Sequence, residues 1–165
     1  MNLLPRRVFG EKARHLASDI GLLLLRLAVG AVFVAHGWGD ASQDGGAGAN
    51  VANYRDAGIP LPELSAWFGA YMQLIGGTVV LFGALTRLIG AGFAVVMAGA
   101  LVFVHRGEPL VMGQDGSGSG FAFIMLAASV TLLGTGAGRF SVDRVFAGRQ
   151  TRSGHSAGIG APSDA

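Results

Sequence analysis

The sequence predicts an all-α fold, a polytopic membrane four-helix bundle with both the N and C termini in the cytoplasm. Hydrophobic residues make up 51% of the chain and charged residues only 13%, with a mean hydropathy of +0.51. Such values lie outside the range of ordinary soluble domains. The apolar residues are concentrated in four long segments, at residues 20–38, 64–85, 88–104 and 120–136. We therefore expect a protein that is embedded in the lipid bilayer.

The length of each segment decides whether it can cross the membrane. A helix rises about 1.5 Å per residue, so a hydrocarbon core of about 30 Å needs about 20 residues, with about 17 as the lower limit. The segment at residues 64–85 passes easily, whereas the two that follow it are marginal but contain no charged residue. The first segment is too long for a signal peptide and is interrupted by Arg26, so we predict that it is retained as a span.

The distribution of Lys and Arg predicts the orientation, because short cytoplasmic loops carry an excess of positive charge. Only Arg55 and Arg106 fall in the connections predicted to be external. The nine that fall on the predicted cytoplasmic side are Arg6, Arg7, Lys12, Arg14, Arg87, Arg139, Arg144, Arg149 and Arg152. These basic residues bracket helices and form no stripe with interleaved aromatic residues, so no nucleic acid is expected as a partner.

The ends and connections divide the chain into three parts. We expect a basic cytoplasmic N-terminal tail at residues 1–19, the membrane domain at residues 20–143 and a basic, disordered cytoplasmic tail at residues 144–165. In the first external connection, Asn50 is placed to cap a short helix that ends near Gly58. This helix is predicted to lie at the membrane interface, against the outer mouth of the bundle.

The composition also limits the redox chemistry of the chain. With no cysteine, the protein has no disulfide, no thiolate metal site and no CxxC relay, which excludes thiol-based quinone reductases. Its glycine-rich stretches do not connect a strand to a helix as a dinucleotide site requires. We predict no metal site, and any redox cofactor must be a membrane quinone, a haem or a group held by a partner.

Polar side chains within the spans are the candidate functional residues, because they are costly in the bilayer and usually face the bundle interior. His36 and His105 lie at similar distances from the starts of two spans that run in the same direction, so both imidazoles are predicted near the outer interface. They can face a shared site, or each can be satisfied separately by water and loop carbonyls. Bis-histidine haem ligation is the less favoured interpretation, because two histidines can share a depth by chance.

Gln73 and Arg26 are the other two polar residues of interest. Gln73 lies between Gly69 and Gly76, in a row of small residues predicted to pack inward. Its carboxamide either joins helices or contacts a ligand. Arg26 lies nearer the cytoplasmic side and is predicted to have a structural role, with its side chain directed toward Asp19 or Asp143.

Several stretches together resemble the DoxX family of small four-helix membrane proteins. They are LLLLRLAVGAVFVAHGWGD, YRDAGIPLP, QLIGG, LFGALTRL, VMAGALVFVH and GAGRFSVD, which cover about residues 21–143 in order. The sequence departs from the family pattern at two points. Gln73 stands where the family commonly has Glu, and Asp40 follows the His-Gly pair where the family often has Lys. Both departures weaken the transfer of a catalytic role.

The resemblance implies a bacterial plasma-membrane protein associated with redox chemistry. Some members look like the membrane part of thiosulfate:quinone oxidoreductases, and actinobacterial members are linked to complexes with a sulfurtransferase and a superoxide dismutase. We therefore expect an oxidoreductase-associated subunit that uses a membrane quinone together with a redox partner protein, or as a homo-oligomer. The alternative is a non-catalytic scaffold that anchors partner proteins through its arginine-rich tails. Neither the substrate nor the electron donor follows from the residues.

Overall fold

The computed structural model describes residues 4–111, 113 and 117–145, with side chains from residue 13 onward. Within these residues the fold is all-helical and contains no strand. The helices are α1 (Leu4–Ser42), α2 (Val51–Asp56), α3 (Pro62–Phe82), α4 (Thr86–Gly99) and α5 (Gly120–Thr135). A 3₁₀ turn (Gly46–Asn50) precedes α2, and a π-helical turn (Ala100–Val104) extends α4.

Three stretches of the described chain are long and apolar enough to cross a membrane, namely Ala13–Ser42, Pro62–Phe82 and Thr86–Val104. The helix α5 is also apolar but has only 16 residues. The prediction of an all-helical, multi-pass membrane protein is therefore confirmed. The count of four spans and the cytoplasmic position of both termini remain predictions.

Helix α1 extends well beyond the first predicted span in the N-terminal direction. Residues from Leu4 onward are helical, so most of the predicted N-terminal tail continues the span as one 39-residue helix. Pro5 lies in the first turn, where the missing N–H does no harm, and no later proline interrupts the helix. At the other end of the chain, the predicted disordered tail lies outside the described residues, except for residues 144 and 145.

The short helix predicted in the first connection is present as α2, although Asn50 does not cap it as expected. Asn50 has a helical backbone, and its side-chain N–H donates to Asp40 at 2.9 Å instead of binding the start of α2. The preceding 3₁₀ turn already lies in helical register, so the Asn50 side chain is free to tie the turn to the end of α1. Gly58, with a φ of +74°, ends the helical region.

Glycines set the close approach of two helix pairs, α1 with α3 and α4 with α5. A Cβ on Gly37 would lie 2.3 Å from the backbone N of Leu74. One on Gly77 would lie 2.9 Å from the carbonyl O of Gly30. A Cβ on Gly90 of α4 would lie 2.8 Å from the backbone N of Leu133. Backbones in contact at these distances leave no room for any side chain, which is how small residues join helices in membranes.

Apolar side chains join the two helix pairs. The rings of Phe33 in α1 and Phe93 in α4 stack with centroids 3.8 Å apart, and both side chains are fully buried. The other buried members of this core are Val29, Val80, Met97, Ala122, Met125 and Leu132. Above the Phe33–Phe93 stack, the helices separate and leave a pocket.

Candidate functional site: a pocket that collects the histidines

A pocket of about 530 Å³ opens between the helices at the end of the bundle that carries His36 and His105, which we call the histidine end. Both histidines and Gln73 line this pocket, although they come from α1, α3 and the segment after α4. A largely apolar cavity of this size with a few convergent polar groups is typical of small-molecule sites. The structure thus brings three of the four sequence-predicted residues to one place.

His36 belongs to the last third of α1 and lies at the entrance of the pocket. Its side chain is exposed, and its ring lies 5.8 Å from the ring of Phe121, measured between centroids, at a tilt of 30°. Phe121 is at the start of α5 and also lines the pocket. The contact holds the imidazole against an aromatic wall, while no protein hydrogen bond to the ring is formed within the described chain.

His105 follows the π-helical turn, which rotates the chain at the end of α4. Its backbone N–H donates to Ala100, five residues earlier, at 2.8 Å. The ring Nδ1 lies 2.8 Å from Oε2 of Glu108, a carboxylate oxygen that also accepts the backbone N–H of Gly118 at 2.9 Å. Because an ionised carboxylate only accepts hydrogen bonds, it favours the tautomer with the proton on Nδ1. Nε2 is then the nitrogen left for a ligand.

Gln73 lies in the wall of the pocket, on the buried face of α3. Its side chain is only 7% exposed, in agreement with the inward orientation predicted from its neighbouring glycines. Within the described residues the carboxamide forms no hydrogen bond to protein. An amide in this state loses the hydrogen bonds that it would make in water, so the site favours a ligand or a water molecule that restores them.

Tyr54 is a pocket residue that the sequence did not single out as a site residue. Its hydroxyl O lies 2.7 Å from the position that a Cβ on Gly69 would occupy, so Gly69 makes room for the phenol. Burial, assisted by the negative charge of Asp40, raises the pKa of Tyr54 above its ordinary value of 10.0 and keeps it a neutral donor. The spacing of Val51 and Tyr54 on one face of α2 was the available signal, but it did not reveal which helix they would meet.

Glu108 is a second residue that sequence reasoning missed. Its spacing of three residues from His105 is visible in the sequence, but the glycine- and serine-rich stretch around it has no periodicity that would bring the two side chains together. The backbone turn after the π-helix is what brings the carboxylate to the ring. Among the described residues, no group of three or more His, Asp or Glu side chains is arranged to hold a metal ion.

The rim of the pocket is apolar and outward-facing. Large exposed side chains from four elements contribute to the lining, namely Leu61, Phe68, Val95, Val104 and Phe121. In a membrane protein, exposed apolar side chains at this level contact lipid. An apolar rim of this kind suits a ligand with an apolar tail.

Arg26 lies away from the pocket, toward the end of the bundle that carries Arg87, Arg139 and Arg144, which we call the arginine end. Arg26 is 3% exposed as a residue, and its Nη1 donates to the carbonyl O of Ala137 at 2.8 Å. Asp143, one of the two predicted partners, lies near enough to act on it electrostatically but forms no ion pair with it within the described residues. Asp19, the other predicted partner, forms no ion pair with Arg26.

Asp143 has a separate task in the described structure. Its two carboxylate oxygens accept the backbone N–H groups of Leu85 at 2.8 Å and Thr86 at 3.1 Å. These N–H groups lie at the start of α4, where no helical carbonyl is available to them. Leu85 has a φ of +49°, a left-handed conformation that a leucine rarely adopts, and Asp143 stabilises it from outside the helix.

Comparison with known proteins gives a family match and two relatives. The DoxX family matches over residues 21–106. A Bacillus subtilis (strain 168) protein named "Putative oxidoreductase CatD" is 32% identical over 133 residues, which cover 80% of this chain and 92% of the relative. A Mycobacterium tuberculosis (strain ATCC 25618 / H37Rv) protein named "Uncharacterized membrane protein Rv3486" is 28% identical over 149 residues, covering 85% and 90% respectively. No solved structure matches the chain.

Proposed function

The chain belongs to the DoxX family, and from this premise we propose that it is a redox-associated membrane subunit that binds a quinone at its histidine end. The proposed electron donor is a partner oxidoreductase. One observation carries the proposal: His36, Gln73 and His105, distant in sequence, open onto one pocket. The name of the Bacillus subtilis relative, which includes the word oxidoreductase, supports the redox assignment.

The shape and lining of the pocket favour a quinone over a soluble substrate. Quinones combine a polar ring that bears two carbonyl oxygens with a long apolar tail. The ring suits the interior near Gln73, where hydrogen-bond donors are unsatisfied, and the tail suits the lipid-facing rim at Val95 and Val104. A hydrophilic substrate would gain nothing from this rim.

The polar residues of the pocket are suited to bind the carbonyl oxygens of a quinone and to transfer protons during its reduction. Reduction of a quinone to a quinol takes up two electrons, here from the partner, and two protons. The Gln73 amide and the Tyr54 hydroxyl are donors suited to a carbonyl oxygen, and His105 is suited to proton transfer because Glu108 fixes its tautomer. His36, which lines the pocket and is predicted near the outer interface, is suited to relay protons from the aqueous side.

We further propose that the chain crosses the bacterial plasma membrane four times with both termini in the cytoplasm. Helix α5 is then the fourth span; its 16 residues give a length of about 24 Å. Flanking segments and tilt of the longer helices compensate for the shortfall. Reporter fusions at positions 48 and 148 are expected to report opposite sides, and equal reports would contradict the span count.

The quinone proposal is tested by direct binding of a decyl-tailed benzoquinone to the purified full-length chain in nanodiscs. His36→Ala and His105→Ala are each expected to weaken binding about tenfold, the effect of losing one hydrogen bond of about 1.4 kcal/mol. The double variant should be little worse than either single variant, because residues that act on one site are not additive. His15→Ala is the matched control, since His15 is exposed near the opposite end of the bundle.

A different result would favour the scaffold alternative. If the double histidine variant binds the quinone like the unaltered protein, a shared site at the histidine end is excluded. The scaffold alternative then predicts that removal of Arg144, Arg149 and Arg152 abolishes co-purification of partner proteins from native membranes. Under the quinone proposal, the same three changes leave quinone affinity intact.

A further inference from the structure

The arginine end has a recess of its own, far from the quinone pocket. Two adjoining cavities of about 430 and 490 Å³ share Thr135, Gly138 and Arg144 in their lining. They form one continuous depression around the segment that follows α5, which we call the arginine groove. Arg87 lines one cavity and Arg139 lines the other.

The arginine groove carries positive charge that the described chain does not neutralise. Arg87, Arg139 and Arg144 are exposed and form no salt bridge within the described residues. Of the two acidic residues in the lining, Asp143 is already committed to the start of α4 through both of its oxygens. Asp143 keeps its negative charge, so two carboxylates oppose three guanidinium groups, and the remaining positive charge of the lining favours an anion.

The walls of the groove also offer apolar surface, beneath which one polar atom is buried without a partner. Leu85 and Leu88 line it, and both side chains are more than half exposed. Thr86, between them, is buried, and its Oγ1 has no hydrogen-bond partner in the described chain. A ligand that matches this surface has an anionic head for the arginines and an apolar body for the leucines.

We propose that the arginine groove binds the phosphate group of an anionic phospholipid. Guanidinium groups bind phosphate oxygens through paired hydrogen bonds, and basic recesses between membrane helices recognise anionic lipid head groups in this way. The acyl chains run along Leu85 and Leu88 into the bilayer. The site is independent of the quinone proposal, because it uses different residues at the opposite end of the molecule.

Native mass spectrometry of the full-length chain, purified in detergent, tests this site with three probes. These are phosphatidylglycerol, phosphatidylcholine with the same acyl chains, and glycerol 3-phosphate, which has the anion but no chains. The test variant is Arg139→Gln combined with Arg144→Gln, and Arg55→Gln is the control because Arg55 is exposed at the histidine end. Unchanged melting temperatures without lipid establish that the variants are folded.

The unaltered protein is expected to retain phosphatidylglycerol in preference to phosphatidylcholine. The double variant should lose affinity for phosphatidylglycerol about 25-fold, about fivefold for each arginine, while Arg55→Gln retains it. Three results would overturn the proposal: equal retention of both lipids, full retention by the double variant, or equal loss in Arg55→Gln. Binding of glycerol 3-phosphate as tight as that of the lipid would assign the groove to a soluble phosphate compound instead.

Discussion

The polar side chains at the two ends of the helix bundle differ in whether they have protein partners. At the arginine end, Arg26 donates to the carbonyl of Ala137, and Asp143 accepts two backbone N–H groups at the start of α4. At the histidine end, the carboxamide of Gln73 makes no hydrogen bond to the described protein and faces a pocket. The charged groups of one end connect helices, although Arg26 Nε and Thr86 Oγ1 have no partner there in the described chain. The amide of the other end faces a pocket and makes no hydrogen bond to the described protein.

This difference shows how a small membrane protein can separate stability from binding. A polar group with a protein partner ties together segments that are distant in sequence, here residue 26 with residue 137 and residue 85 with residue 143. A buried polar group without one is a destabilising feature unless a ligand or water completes it. The arginine end is therefore expected to respond to mutation through stability and the histidine end through binding.

The largest effect is expected where the helices that frame the pocket touch. Gly37→Ala would place a Cβ 2.3 Å from the backbone N of Leu74, so α1 and α3 must separate. We expect a loss of about 3 kcal/mol, the upper end for overpacking, seen as a lower melting temperature in detergent. Gly39→Ala is the control, because nothing lies within 4 Å of its Cβ position. Equal melting temperatures for the two variants would show that α1 and α3 do not make backbone contact at Gly37.

The comparison between the ends is tested most directly by placing the same residue at both. Arg26→Met leaves the buried carbonyl of Ala137 without its donor and is expected to destabilise the protein by about 2 kcal/mol. Gln73→Met removes no protein hydrogen bond, so the stability should change by less than about 0.5 kcal/mol. Quinone binding should show the opposite pattern: Gln73→Met should bind the quinone more weakly, and Arg26→Met should bind it with unchanged affinity. If Arg26→Met and Gln73→Met destabilise the protein equally, the two ends do not differ in how their polar groups contribute to stability.

A smaller effect is expected at Asp143. An asparagine has one acceptor oxygen, so Asp143→Asn can satisfy Leu85 or Thr86 but not both. Loss of one capping hydrogen bond is expected to lower the free energy of unfolding by about 1 kcal/mol. Asp19→Asn is the matched control at the same end, since its carboxylate forms no hydrogen bond within the described residues. If Asp19→Asn loses as much stability as Asp143→Asn, the effect is due to the lost charge and not to the lost hydrogen bond.

The smallest effect is a pH dependence at Tyr54, outside the spans. Burial, assisted by the charge of Asp40, raises the pKa of Tyr54 above 10.0, so the folded state favours the protonated phenol. The protonated phenol therefore stabilises the folded state fully below pH 10.0. This stabilisation is lost as the pH rises from 10.0 through the raised pKa of Tyr54 in the folded state. Tyr54→Phe should therefore lose less stability between neutral and strongly alkaline pH, as measured by chemical unfolding. If Tyr54→Phe and the unaltered protein lose the same stability at alkaline pH, folding does not raise the pKa of Tyr54.

The helical fold was predictable from the sequence because its signals are local. Long apolar segments and few charges define membrane helices one at a time, and the observed helices α3 (Pro62–Phe82), α4 (Thr86–Gly99) and α5 (Gly120–Thr135) lie close to the predicted spans. The inward orientation of Gln73 also followed from glycines on its own helix. The length of helix α1 was underestimated, because the charged residues before the apolar segment gave no membrane signal although they continue the same helix.

The tertiary structure decided which of these residues meet. The sequence predicted that Gln73 faces the bundle interior and that His36 and His105 lie near the outer interface. That all three line one pocket depends on how α1 and α3 cross at Gly37 and Gly77. The roles of Tyr54, Glu108 and Asp143 depend on turns that no helical periodicity encodes. Hydrophobic length is a property of each segment alone, whereas a site arises from distances between segments, and those are set by backbone contact.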